Sequence, residues 1–185
     1  MQKKTLIFDS EVNGKSVTDL IYDIDLANPF HEEHLPTEFT IYFTTVGGVV
    51  SHGYLIVDYL IRLVKAGHKI HFVVTDVCFS TGLLVLVGLY EKSHREKCQS
   101  NVNFSFFKYS KGLFHETAVT LHTREDKSQI PVMVSEMAER ESESLKFFRK
   151  HMTKAEIATF KAGGDVLFDH TALCKIFNGK LIEIL

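Results

Sequence analysis

Two strand-like runs, each passing through a glycine- or serine-bearing turn into an apolar helical segment, occupy the middle of the sequence and leave few folds open to it. Phe39-Thr40-Ile41-Tyr42-Phe43 alternates as a strand does, and Thr44-Thr45-Val46-Gly47-Gly48 breaks it. Ser51 is placed to cap a helix with apolar positions Leu55, Ile56, Tyr59, Leu60 and Leu63, and Gly67 is its stop signal. Ile70 to Thr75 forms a second β-branched run, followed by a loop from Asp76 to Gly82 and a buried helix. Two consecutive strand-helix units in one sheet require parallel strands joined by right-handed crossovers. The expectation is an α/β fold of repeated βα units around a parallel sheet core.

The flanking segments extend this pattern. Leu6 to Phe8 reads as a strand, and Ser16 as the N-cap of a first helix with Val17, Leu20, Ile21 and Ile24 on one side. Asn103 to Tyr109 reads as a third core strand, Met133 to Met152 as a charged helix, and Leu181 to Leu185 as a closing strand. Thr153 with Glu156 three residues on is a capping-box pattern. At 185 residues one domain is expected, with residues 113–151 set apart as a candidate protruding segment. Lys and Arg number 21 against 23 Asp and Glu, which leaves no basic excess for tracking nucleic acid. The most apolar stretch, Val77 to Tyr90, falls short of the about 20 residues needed to span a bilayer. No membrane association is expected, and a cytoplasmic location follows from the absence of a signal-like start. Three cysteines without a paired motif give neither a disulfide framework nor a zinc site, and no cofactor is expected. His31-Glu32-Glu33-His34 reads as a solvated loop, and His68 and His71, flanking Lys69, as surface residues at a strand start.

Chemistry is expected at the two loops, because open α/β sheets bind ligands beyond the carboxyl ends of their strands. Gly47-Gly48 offers backbone N–H groups with no side chain in the way, suited to a developing oxyanion, and the plainer alternative is a tight turn. Cys78-Phe79-Ser80-Thr81-Gly82 puts a serine at the start of an apolar helix, in the manner of a nucleophile elbow whose first glycine is replaced by Cys78. The plainer alternative there is that Ser80 or Thr81 caps the helix.

Together, these residues resemble the ClpP family of caseinolytic serine peptidases within the ClpP/crotonase superfamily. Ile41-Tyr42-Phe43, Thr45-Val46-Gly47-Gly48, Gly53 and Ile56-Val57-Asp58-Tyr59-Leu60 correspond to the family's first strand, its Ser-Pro-Gly-Gly segment and the helix behind it. Thr75, Cys78, Phe79-Ser80-Thr81-Gly82, Leu83-Leu84 and Gly88 correspond to the nucleophile block and its Leu-rich helix, with a shortened gap before the serine. Met152 to Ile157 and Asp165 to Phe168 are similar to the family's last helix and closing segment. The resemblance implies a ClpP-type fold with a handle-type helix, a homo-oligomer or ring, a peptide substrate and a partner unfoldase.

Carried across, the resemblance makes Ser80 the nucleophile and places the oxyanion donors at Gly47 or Gly48 and at Thr81. The family histidine lies in a Met-Ile-His-Gln-Pro strand, where this chain reads Phe104-Ser105-Phe106-Phe107-Lys108-Tyr109. A serine without a neighbouring base is a poor nucleophile at neutral pH. His115, on the segment leading out of that strand, is the candidate base, Asp165 the candidate carboxylate, and Asp169 a further one. Three functions follow: a serine endopeptidase, a non-catalytic scaffold or regulatory ring subunit of the same fold, and a crotonase-type acyl-thioester enzyme.

Overall fold

The computed structural model describes residues 2–27, 36–115 and 143–183, which form two compact units, 1–113 with 167–185 and 114–166. The elements in chain order are β1 (Gln2–Asp9), α1 (Gly14–Ala27), β2 (Thr37–Thr45), α2 (Val50–Lys65), β3 (Lys69–Phe79), α3 (Thr81–Arg95), β4 (Val102–Phe107) and β5 (Lys111–Phe114). A helical stretch α4 over 143–149, then α5 (Lys154–Lys161), β6 (Val166–Asp169), α6 (His170–Ile176) and β7 (Lys180–Ile182) complete the series. The His31 to His34 loop and most of the 113–151 segment lie outside the described residues.

In the first unit, β1-β2-β3-β4-β7 pair in that order and every pair is parallel, as consecutive strand-helix units require. Period-two burial selects the helix-covered face. Phe39, Ile41 and Phe43 on β2, Ile70, Phe72 and Val74 on β3, and Phe104 and Phe106 on β4 are buried. Phe43 sits between Phe8 and Phe72 at ring distances of 4.9 and 4.7 Å, and Tyr90 of α3 reaches Phe104 at 6.2 Å. Each such ring removed from water contributes about 1.5–3 kcal/mol, so this layer holds the sheet to its helices. The apolar run from Leu83 to Leu89 is buried in α3 as a core helix.

Four local expectations change. Asn13, not Ser16, caps α1: its side-chain oxygen accepts the Ser16 N–H at 3.0 Å while Ser16 Oγ accepts the Asn13 N–H at 3.1 Å. Ser51 does not cap α2, which begins after Val49 without a side-chain cap. β3 does not stop at Thr75 but runs to Phe79, because a register shift lets Thr45 pair with Cys78 and because Val77–Phe79 pair with β5. His68 is buried rather than exposed, and its Nδ1 accepts the Thr37 N–H at 3.2 Å.

The second unit has its own aromatic centre. Phe114 stacks on Phe160 at 4.9 Å and meets Phe148 at 4.6 Å, with Phe147 and Phe148 both buried. The capping box opens α5 as its spacing predicts: Thr153 accepts the Glu156 N–H and the Glu156 carboxylate accepts the Thr153 N–H.

Candidate active site

β3 delivers the chain straight into Ser80, and α3 starts at the next residue. Ser80 adopts φ 51°, ψ −120°, a backbone conformation that L residues with a side chain rarely occupy. Three contacts hold the turn. The Ser80 N–H donates to the Leu113 carbonyl of β5 at 2.8 Å, the Ser80 carbonyl accepts the Leu84 N–H at 3.2 Å, and Gly82 lets α3 close onto the sheet. A Cβ on Gly82 would stand 2.3 Å from Thr45 Cγ2 and 3.2 Å from Cys78 Sγ. Ser80 makes no side-chain cap to α3, and among the described residues its hydroxyl has no hydrogen-bond partner. Thr81 does not cap the helix either, because its hydroxyl donates to the Gly48 carbonyl at 2.7 Å.

Gly47 lies against Ser80. A Cβ there would be 2.7 Å from Ser80 Cβ and 3.3 Å from Ser80 Oγ. The backbone around it is almost fully engaged. The Gly47 N–H donates to Thr45 Oγ1 at 3.1 Å, the Gly47 carbonyl accepts the Val12 N–H at 2.7 Å, and the Val49 N–H donates to the Val12 carbonyl at 2.7 Å. The Gly48 carbonyl is taken by Thr81. Among the described residues, the Gly48 N–H has no acceptor, and neither has the Thr81 N–H at the first turn of α3. Among the described residues, a serine whose hydroxyl has no hydrogen-bond partner therefore sits beside a loop in which the Gly48 amide is open, with another open amide on Thr81, the residue that follows the serine. Such an arrangement can receive a carbonyl oxygen as negative charge develops on it.

The other candidates fall elsewhere. Cys78 is fully buried, and burial pushes its thiol far above the usual range, which disfavours the thiolate a nucleophile needs. His115 is half-buried and Asp165 exposed, both in the second unit. The Asp169 side chain caps α6 by accepting the Ala172 N–H at 2.8 Å. In the first unit, His71 Nε2 pairs with Ser105 Oγ at 2.8 Å, His94 Nδ1 donates to the Tyr90 carbonyl at 2.8 Å, and His170 Nδ1 accepts the Tyr109 N–H at 3.4 Å. The His52 ring lies beside Gly14. No described histidine is hydrogen-bonded to Ser80.

The pattern of glycines and serine pointed to Ser80, Gly47, Gly48 and Thr81. Thr45 and Val12, which tie the loop down, were not singled out. A hydroxyl accepting the N–H two residues on is a recognised turn device, so Thr45 carried a readable signal. Val12 contributes only backbone groups from a segment remote in sequence and carried none.

No family model matches the chain, and no curated protein sequence matches it. Solved structures do. The ClpP protease catalytic domain from Plasmodium falciparum superposes with a TM-score of 0.60 at 15% identity, covering 97% of this chain and 85% of that one. A ClpP1 point mutant from Listeria monocytogenes gives a TM-score of 0.61 at 15% identity, covering 97% and 91%. With its parallel sheet, its strand-to-helix turns at Gly47-Gly48 and Ser80, and this likeness over nearly its whole length, the chain has a ClpP-like fold.

Proposed function

We propose that the chain is a peptidase-type subunit of ClpP-like fold in which Ser80 is the acyl-accepting nucleophile and the N–H groups of Gly48 and Thr81 are the oxyanion donors. One observation carries this reading: Ser80 is held at φ 51°, ψ −120° with a hydroxyl that has no partner among the described residues, against a glycine loop in which the Gly48 amide is open. Strain of this kind costs about 1–3 kcal/mol and is retained where the surroundings impose it, most often at functional sites. Gly47 stays in this reading as the residue whose missing side chain lets the loop approach Ser80.

In the reaction, Ser80 Oγ bonds to the peptide carbonyl carbon, its proton passes to a base, and the carbonyl oxygen takes the negative charge between the two amides. Collapse of the adduct breaks the C–N bond, the departing amine takes the proton, and water then releases the acyl group. His115 and Asp165 remain the sequence-based candidates for the base and its orienting carboxylate. A peptide or unfolded-protein substrate, a homo-oligomeric ring and an unfoldase partner belong to the proposal through the likeness in fold.

The test is covalent labelling. A fluorophosphonate or β-lactone probe should add one adduct to the folded chain, mapped by mass spectrometry to Ser80 and absent from Ser80→Ala. A folded sample that stays unlabelled would reject the reading. A second reading, a non-catalytic scaffold or regulatory subunit, is favoured by one observation: no described histidine is hydrogen-bonded to Ser80. It expects no labelling and an assembly that is indifferent to Ser80→Ala.

A further inference from the structure

Thr81 is fully buried and its side chain is fixed at both ends. Its methyl occupies the space left by Gly53 on α2, where a Cβ would come within 2.5 Å of Thr81 Cγ2. Its hydroxyl donates to the Gly48 carbonyl at 2.7 Å. With the methyl seated, rotation about χ1 is stopped, because a β-branched side chain has few staggered positions to choose from. The hydroxyl is thereby aimed at one carbonyl.

That carbonyl belongs to the residue whose amide is open, while the hydroxyl belongs to the residue carrying the other open amide. A side chain on one amide-bearing residue thus clamps the backbone of the other. The remaining tethers of the loop, Thr45 Oγ1 to the Gly47 N–H and Val12 to Gly47 and Val49, fix it against the end of β2 and the segment between β1 and α1 but not against α3.

We propose, on the footing of the Ser80 reading above, that Thr81 is a positioning residue whose hydroxyl sets the separation of the Gly48 and Thr81 N–H groups around the developing oxyanion. Preorganised donors act only when their spacing matches the transition state, so loosening the clamp slows the chemical step without weakening the initial encounter with the substrate. Gly53 is part of the device, because it makes room for the methyl that aims the hydroxyl.

Three substitutions separate this role from packing. Thr81→Val keeps the methyl and the shape but loses the donor, Thr81→Ser keeps the donor but loses the methyl, and Gly53→Ala keeps both groups but pushes on the methyl and so turns the hydroxyl away from the Gly48 carbonyl. The measurement is inactivation by a fluorophosphonate, resolved into its limiting rate and its half-saturating concentration, with each variant first shown to be folded by its thermal transition. Thr81→Val should lower the limiting rate about 10-fold or more with little change in half-saturation, given that loss of a whole oxyanion donor costs about 100-fold or more. Thr81→Ser should recover most of the rate, and Gly53→Ala should fall between them. A packing role gives the opposite order, with Thr81→Val close to the unaltered chain and Thr81→Ser impaired, and that order overturns the inference while leaving the Ser80 reading intact. A folded, unaltered chain that never reacts at Ser80 removes both. If Thr81→Val does not fold, equal limiting rates for Gly53→Ala and the unaltered chain overturn the inference by themselves.

Discussion

Gly48 has φ 143°, and a methyl placed on its α-carbon would stand 2.2 Å from the Val12 carbonyl oxygen, backbone against backbone. Gly67 also has a positive φ, 96°, yet nothing lies within 4 Å of where its Cβ would be. The pair separates conformational strain from steric exclusion. Gly67→Ala should cost about 1 kcal/mol from strain alone, whereas Gly48→Ala should cost about 3 kcal/mol or more, because strain and overpacking add. Urea unfolding of the two variants measures the difference, and equal costs would mean that the Val12 contact yields easily. The same excluded volume explains why the two glycines could be read from sequence as a close-approach loop, while the choice between their amides could not. Thr45 Oγ1 claims the Gly47 N–H and leaves the Gly48 N–H open; the Thr45 turn has a local signal, but the Val12 contacts that complete the arrangement come from a segment remote in sequence, which a linear pattern does not encode.

β3 is the element on which the sequence and the structure part most. Its buried half, Ile70 to Val74, was legible from β-branched alternation, but Asp76 looks like the end of a strand. Asp76 is exposed, and the strand continues past it because the register against β2 shifts and β5 replaces β4 as the neighbour. A change of partner is a tertiary event, invisible to local propensity, and it is what converts an expected loop before Ser80 into a direct strand-to-helix turn. The helix starts failed for a related reason. Asn13, Ser16, Val49 and Ser51 all lie near helix beginnings, and which of them caps depends on where the preceding segment is anchored, here by Val12. The other end of β3 carries a prediction. His71 is half-buried with Nε2 on Ser105 Oγ, and burial first, then Lys180, hold its pKa below the ordinary value, against the opposing pull of Glu38. In the unfolded chain a histidine titrates at about 6.5. Below that pH the unfolded state takes up the proton before the native state does, so this contribution is complete above the unfolded pKa and is lost as pH falls toward the native one. Urea midpoints should therefore drop across mildly acidic pH, and His71→Gln should flatten that drop. Parallel profiles for the two proteins would assign the titration to another group.

At the scale of the whole molecule, two consecutive strand-turn-helix units were enough to fix the parallel sheet and its class, since the handedness and adjacency of such units leave little choice. The ClpP-like likeness carries the fold and stops there; the assembled state is part of the proposal and has its own test. α1 bears on it. Its inner stripe, Val17, Leu20 and Ile24, is buried against the core, while Tyr22 and Leu26, one turn apart on the outer side, are 64% and 68% exposed. Single exposed apolar residues are ordinary, but two large ones stacked at i, i+4 on a helix already anchored by another face make a second apolar stripe. A copy of the same chain is the partner that the proposed ring supplies. Sedimentation velocity at micromolar concentration should give a species several times the mass of one chain, and the unfolding temperature should rise with protein concentration, because association stabilises by mass action. Tyr22→Glu with Leu26→Glu should move the population toward the single chain without lowering its helix content, since neither side chain contributes to the core. A multimer unaffected by the pair would place the contact on another surface, and an unaltered protein that sediments as a single chain at every concentration would remove the ring from the proposal while leaving the chemistry at Ser80 to be judged on its own labelling.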